Sequence, residues 1–163
     1  MTKYEELLAF LKRENNEKAE LLEEEINIMV HKLKFLPAES FPSVAILRQK
    51  DNFKPTSPES LLEKTTLAGA RLVTALHERL DIIVILQDDD SLYSHLPTLL
   101  QQDWIQRSLA YQYNRIYIIE NPDFDTDLQE YLKESEILAE IFQPKYFHFG
   151  HEGNGWIKFD IAN

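Results

Sequence analysis

The chain has 163 residues, 44% of them hydrophobic and 28% charged, enough for one domain with its own core and too polar for a membrane protein. Its net charge of −11 repels phosphate backbones, so nucleic acid and anionic membrane surfaces are poor partners. The absence of cysteine excludes disulfides, thiolate catalysis and Cys-ligated zinc.

The N-terminus, Met1-Thr2-Lys3-Tyr4-Glu5-Glu6, lacks the basic start and apolar stretch of a secretory signal. The chain as it stands is therefore expected in the cytosol, or in the periplasm or at the cell surface if a leader has been removed. Leu7, Leu8 and Leu11 form the stripe of a short helix, broken at Asn15-Asn16. From Ala19, the residues Leu22, Ile26, Met29, Val30 and Leu33 follow the spacing of one buried helical face, with Glu20, Glu23, Glu24 and Lys32 opposite. Pro37 and Pro42 enclose a turn, and Ser43–Arg48 reads as a buried strand. Ser57 as N-cap and Pro58 at the first helical position predict a helix to about Arg79, interrupted at Gly69 and carrying His77 on its surface.

Asp81–Gln87 is the clearest strand, stopped by Asp88-Asp89-Asp90. Its core, Ile82–Leu86, is the kind of apolar run the chain offers, far short of the ~20 residues that span a bilayer. Pro97–Tyr111 reads as mostly helical, with Leu99, Leu100, Trp104, Ile105 and Leu109 available to the core; Arg115–Ile119 is a third strand. After the turn at Asn121-Pro122-Asp123, Thr126 and Gln129 fit a capping box. The helix that follows, with Leu128, Leu132, Ile137, Leu138 and Ile141, ends by Pro144. The tail, His148–Gly155, holds three of the four glycines and leads into a weakly alternating strand over Trp156–Ile161. The whole chain, 1–163, reads as one domain: a helical segment over 1–36, an α/β lobe over 43–147 and a Gly/His tail over 148–163. Strands alternating with helices predict a small, largely parallel sheet with right-handed crossovers.

In such a sheet ligands bind beyond the carboxyl ends of the strands. Asp88, Asp89 and Asp90 fall there after one strand; Glu120, Asp123 and Asp125 fall there after the next. Acids of this kind suit a hard cation, but the spacing lacks the EF-hand pattern, and capping is the commoner use of Asp in loops. Tyr93 and Phe124 could stack on a flat ligand or fold back into the core. His148, His151 and Glu152 form an H-x-x-H-E string. Imidazoles favour zinc, iron or nickel, yet the order is not that of a zincin and the glycines argue for a loop. There is no G-x-S-x-G elbow, no G-x-G-x-x-G and no Walker sequence, so no enzyme is read here.

Several segments together resemble one family. Asn114–Phe124 (NRIYIIENPDF) is similar to a C-terminal strand and loop of the substrate-binding proteins for ABC-type uptake of ferric siderophores, haem and cobalamin. Ser135–Phe147 (SEILAEIFQPKYF) resembles their last helix. Leu80–Leu86 sits where they have a strand opening with Pro-Asp, and Trp104 where they often have a Trp. Leu7–Leu33 resembles the long helix between their two lobes. The resemblance implies a Rossmann-like, three-layer C-terminal lobe of a class III periplasmic binding protein, preceded by a long helix, without its N-terminal partner. It further implies a ferric chelate, haem or corrinoid as ligand; the strand-end residues Asp88, Asp89, Tyr93, Asp123 and Phe124 are the candidates to hold it. It places the acid for permease docking near Leu67-Ala68-Gly69-Ala70, with Glu63 the nearest acid upstream and Thr66 at the docking position itself. Asp125-Thr126-Asp127 stands where the family often has Arg and Pro.

Three functions remain open. One is a lobe that binds a metal chelate, on its own, as a homodimer or with a separate N-terminal lobe. Another is a protein-interaction or dimerisation module that keeps the fold without a ligand. The third is a metal-dependent enzyme built on His148, His151 and Glu152.

Overall fold

The computed structural model describes residues 1–75 and 79–161. Helix α1 (Lys3–Glu14) opens with a capping box: the Thr2 hydroxyl accepts from the Glu5 N–H, and the Glu5 carboxylate accepts from the Thr2 N–H. Asn15 is extended; it ends α1 and caps α2 (Asn16–Leu33), its side chain accepting from Lys18. The buried stripe of α2 is Ala19, Leu22, Ile26, Met29 and Leu33. Val30, expected in that stripe, is exposed, because one residue past Met29 is about 100° round the helix.

Strands β1 (Ser43–Arg48), β4 (Ile82–Leu86) and β5 (Ile116–Ile119) form the parallel centre of the sheet, with β4 in the middle. Beyond β1 lie two short strands that its sequence neighbours did not announce. The antiparallel β2 (Lys54–Pro55) pairs with the carboxyl end of β1, and the parallel β3 (Arg71–Leu72) pairs with its amino end. At the other edge β6 (Ile157–Phe159) runs antiparallel to β5, placing the expected tail strand in the sheet.

The alternation of side chains separates two cores. Val44, Ile46, Ile82, Val84, Leu86 and Ile119 face α2, α3 (Glu59–Leu67) and α7 (Tyr131–Phe142). Ala45, Leu47, Ile83, Ile85, Ile116 and Ile118 face α4 (Leu92–Leu99), α5 (Asp103–Gln106) and α6 (Leu109–Gln112). The result is the three-layer arrangement expected from alternating elements. A third cluster joins Leu7 and Leu11 of α1 to α2 and Tyr131. Among the described residues no helix is long and apolar enough to cross a membrane.

Three sequence expectations need correction. The helix starting near Ser57 does not continue to Arg79: α3 ends at Leu67, Gly69 turns the chain at φ +93°, and β3 follows. His77 lies outside the described residues. The helix expected over Pro97–Tyr111 is three short helices, the first starting earlier and containing Pro97. Thr126 does not cap the last helix. Its hydroxyl donates to the Asp123 carbonyl at 2.6 Å, and Asp127 instead accepts from the Gln129 N–H at 2.9 Å in a 3-10 turn leading into α7.

Gly69 is fixed by space as well as by φ. A Cβ there would stand 2.8 Å from Cγ of Gln143, whose amide donates to the carbonyls of Ser40 and Gly69, both at 2.9 Å. Gly150 has a similar φ of +88° and open space around it. Gly69→Ala should therefore cost more than Gly150→Ala, which carries only the backbone strain of roughly 1–3 kcal/mol. Urea denaturation of both variants checks this; equal losses would mean that the Gln143 contact yields freely.

Candidate functional site

The carboxyl ends of β1, β4 and β5 open on one edge of the sheet. After β1 the chain makes a 3-10 turn at Gln49–Asp51 and then places Asn52 and Phe53 in succession at φ +57° and +60°. A left-handed Phe is strained, and such strain persists only where the surroundings impose it. Here the double reversal sends the chain back as β2.

Gln49 organises the loop after β4. Its carbonyl oxygen accepts from the N–H groups of Asp88 (2.7 Å) and Asp89 (3.1 Å), and its amide donates to the Asp89 carboxylate and the Ser91 hydroxyl, both at 3.0 Å. Asp89, exposed, thus serves as a loop cap; hydrogen bonds from Ser91, then Gln49, hold its carboxyl below the usual range. Asp88 is partly exposed, 3.8 Å from Lys50. Tyr93 is 43% exposed. Partial burial, followed by the charges of Glu120 and Asp90, pushes its phenol up, so it remains a neutral donor.

In the loop after β5, Asp123 is exposed and its N–H donates to the Asn121 side chain at 2.9 Å. Phe124 is fully buried. Its ring lies 5.6 Å from the Lys64 ammonium, so it offers no face to a ligand, which corrects its place among the candidate ligand-binding residues. Aromatic area of that size is stabilised more by the core than by the loop surface.

Beneath this edge lies a charged cluster absent from the sequence reading. Lys64, on α3, is buried between Asp125 (2.7 Å) and Glu134 (2.6 Å), whose side chains are also buried. Asp125 stands at φ +66°, its N–H donates to Glu134 at 2.9 Å and its carboxylate accepts from Ser60 at 2.9 Å. Burial pushes the Glu134 carboxyl up, more than the hydrogen bond and charge of Lys64 pull it down. The rings of Phe124 and Tyr131 flank the ammonium. A cavity of about 170 Å³ opens above the cluster, walled by Lys3 and Glu6 of α1, Thr126 and Tyr131. The signal for this cluster was present in the sequence. Lys64 falls with Leu61, Thr65 and Ala68 at i, i+3, i+4, i+7, and Glu134 falls likewise with Ile137, Leu138 and Ile141, each a charge inside an apolar stripe.

Glu63, the residue assigned to permease docking, is turned inward. Its carboxylate accepts from the first helical N–H groups of α1, Lys3 at 3.0 Å and Tyr4 at 2.9 Å, and from the Tyr131 hydroxyl at 2.5 Å. It satisfies a helix N-terminus that would otherwise be uncapped at those positions. Burial, then Glu63, pushes the Tyr131 phenol far up.

The tail residues His148, His151 and Glu152 do not converge as a metal set, and among the described residues no group of three His, Asp or Glu side chains does. The His151 ring contacts Glu136 at 2.9 Å, and His148 is exposed. The tail is organised by Glu140 of α7. Its carboxylate accepts from the Trp156 indole (3.0 Å) and from the N–H groups of Phe149, Gly150 (2.8 Å) and His151 (3.2 Å). Burial pushes the Glu140 carboxyl up, but these four donors outweigh it and hold it below the ordinary value.

A mostly parallel sheet between two helical layers, open at its carboxyl edge, is the fold of one lobe of a periplasmic binding protein. The resemblance is seen in three solved structures. A TroA-like periplasmic binding protein FepB from Veillonella parvula superposes with a TM-score of 0.54 at 19% identity, over 79% of this chain and 47% of that one. A second periplasmic binding protein from Veillonella parvula gives 0.61 at 15% identity, over 87% and 50%. An ABC transporter solute binding protein from Sulfurospirillum deleyianum gives 0.57 at 15% identity, over 90% and 52%. The chain thus spans about half the length of the structures it matches. No family model and no curated protein matches the sequence. Two of the three structures are periplasmic by name, which lends the cytosolic expectation no support.

Two outcomes follow from the charged groups. Lys64→Met leaves two buried carboxylates without their cation and should cost about 3–5 kcal/mol; chemical denaturation measures it, and a loss below about 1 kcal/mol would show that the triad is solvated. Glu140→Leu should cost about 1–3 kcal/mol at neutral pH by stranding the donors it accepts from. Because the folded Glu140 carboxyl lies below its ordinary 4.5, its contribution is present above that value and is lost as pH falls through the folded pKa. The gap in melting temperature between wild type and Glu140→Leu should therefore close in acid, and a gap constant with pH would rule out an ionised Glu140.

Proposed function

We propose that this chain is a non-enzymatic solute-binding lobe that takes a metal chelate (a ferric siderophore, haem or a corrinoid) at the carboxyl edge of its sheet. The observation that carries the reading is the combination of a periplasmic-binding-protein lobe over most of the chain with an open edge where Tyr93 stands exposed beside acids. Tyr93 would stack on the flat face of the ligand, and Asp88 and Asp123 would meet its polar rim. Asp89 would act as a positioning residue, since its carboxylate is already engaged by Ser91 and Gln49. Asp90, Glu120 and Asp123 are exposed on the same edge, so a neutral or cationic chelate is favoured over an anionic one.

A second reading, an interaction module, is supported by α2. Leu21 and Ile28 stand seven residues apart on its outer side, 53% and 42% exposed, and Phe35 in the turn after α2 is 79% exposed. Apolar side chains in such a row suit a protein surface.

A thermal-shift screen with haem, several ferric siderophores and cobalamin separates the two. A ligand at a hundredfold excess over its Kd should stabilise the folded chain by ~2.7 kcal/mol. Tyr93→Ala should abolish that shift while leaving the ligand-free melting temperature nearly unchanged. If no chelate shifts the wild type, the binding reading fails and the interaction module stands.

A further inference from the structure

The opposite edge of the sheet, at the amino ends of the parallel strands, carries a separate concavity of about 360 Å³. It lies between Pro42 before β1, Asp81 before β4, Arg115 before β5 and the end of α7 with the residues after it, Phe142 to Tyr146. This volume falls at the lower end of the roughly 300–1,000 Å³ of small-molecule sites.

The charge in it runs against the rest of the molecule. The chain has 17 basic and 28 acidic residues, yet Arg79, Arg115 and Lys145 all border this one cavity. Two acids also border it, Asp81 and Glu39. Asp81 is consumed: its carboxylate accepts from the Ser43 N–H at 2.9 Å, the Ser43 hydroxyl at 3.2 Å and Arg79 at 3.3 Å. Glu39 is exposed at the rim. Arg115 is partly buried, and among the described residues neither it nor Lys145 has an ion-pair partner. Arg115 is thus partly shielded from water without the carboxylate partner that such groups normally find.

The backbone and the Gln143 amide around these groups are held in place. The Arg115 N–H donates to the Ala110 carbonyl at 2.7 Å, and its own carbonyl accepts from the Ile83 N–H at 3.2 Å. Gln143 is tied to Ser40 and Gly69, and the Tyr146 carbonyl accepts from Lys32 at 3.0 Å. Pro42, Phe142 and Pro144 supply apolar wall. A guanidinium fork of donors, an ammonium and an apolar wall are the recognition chemistry of an oxyanion attached to a small organic body.

We propose that this cavity binds a small organic oxyanion, a carboxylate or phosphate, with Arg115 and Lys145 as its charge partners. The site is independent of the chelate edge.

The test is an NMR titration of the full chain, at constant ionic strength, with inorganic phosphate in one arm, citrate in a second and sodium chloride as control. The expected result is saturable movement of the Arg115, Gln143 and Tyr146 amides with a Kd in the millimolar range or tighter, in the phosphate or the citrate arm or both; which arm responds identifies the oxyanion. Arg115→Gln should weaken it by about tenfold or more, as loss of a charge-assisted hydrogen bond does. Arg115→Lys should retain part of the affinity, and Lys133→Ala, remote from the cavity, should retain all of it. Unchanged amide spectra elsewhere confirm that each variant is folded; if Arg115→Gln is not, Lys145→Ala carries the comparison. No saturable movement in either arm, movement reproduced by chloride, or movement indifferent to Arg115 and Lys145 would overturn the proposal.

Discussion

The ammonium of Lys64 is the constraint around which this lobe is arranged. Three charged side chains removed from water are tolerable only if each finds the others at hydrogen-bonding distance, and Lys64 meets Asp125 and Glu134 at 2.7 and 2.6 Å. These partners belong to the loop after β5 and to α7, so one side chain from α3 fixes the position of both. Its neighbour Glu63 reaches the other way, to the N-terminus of α1 and to Tyr131. Two consecutive residues of opposite charge thereby connect four elements of one layer. The left-handed Asp125 is part of the same arrangement, since the loop must turn back to bring its carboxylate inward. What remains exposed at the carboxyl edge (Asp123, Tyr93 and the rim of the loop after β4) is the surface left once these internal demands are met.

Much of the architecture was legible in the amino-acid sequence. The strands at Ser43–Arg48, Asp81–Gln87 and Arg115–Ile119 could be read because they are buried on both faces and therefore nearly unbroken in apolar character. The two-helix start could be read because Asn15 serves as both stop and cap. Strands β2 and β3 could not, since pairs of residues carry no periodicity and their place is set by the edge of β1. The helix expected past Gly69 failed for a related reason: an apolar-rich stretch is ambiguous until one knows that Gln143 and Leu33 crowd the glycine. The resemblance to a substrate-binding lobe is matched at the level of fold by solved structures of that kind.

The site was less legible, because a sequence does not show which acids are spent. Asp89, Glu63 and Glu140 look like free carboxylates in the chain, and each is occupied by backbone or side-chain donors in the fold. Phe124 looked available for stacking and is core. The most informative polar residues, Lys64 and Glu134, were marked only by standing where an apolar residue was due. The histidine string was read by its spacing, whereas the tail's conformation is decided by a carboxylate on α7 that the string does not include.

The division of the β1 edge between β2 and β3 has a consequence for assembly. One short strand covers each end of β1. The gap between them is closed by the Thr56 N–H on the Ile46 carbonyl at 2.9 Å and the Val73 N–H on the Val44 carbonyl at 2.8 Å. The opposite edge is the three-residue β6, with Lys158 exposed on it. Among the described residues neither side therefore offers a long row of unpaired backbone groups, the template on which foreign strands grow. Short edges of this kind resist fibrillar stacking and leave loops and helix faces as the larger surfaces for association.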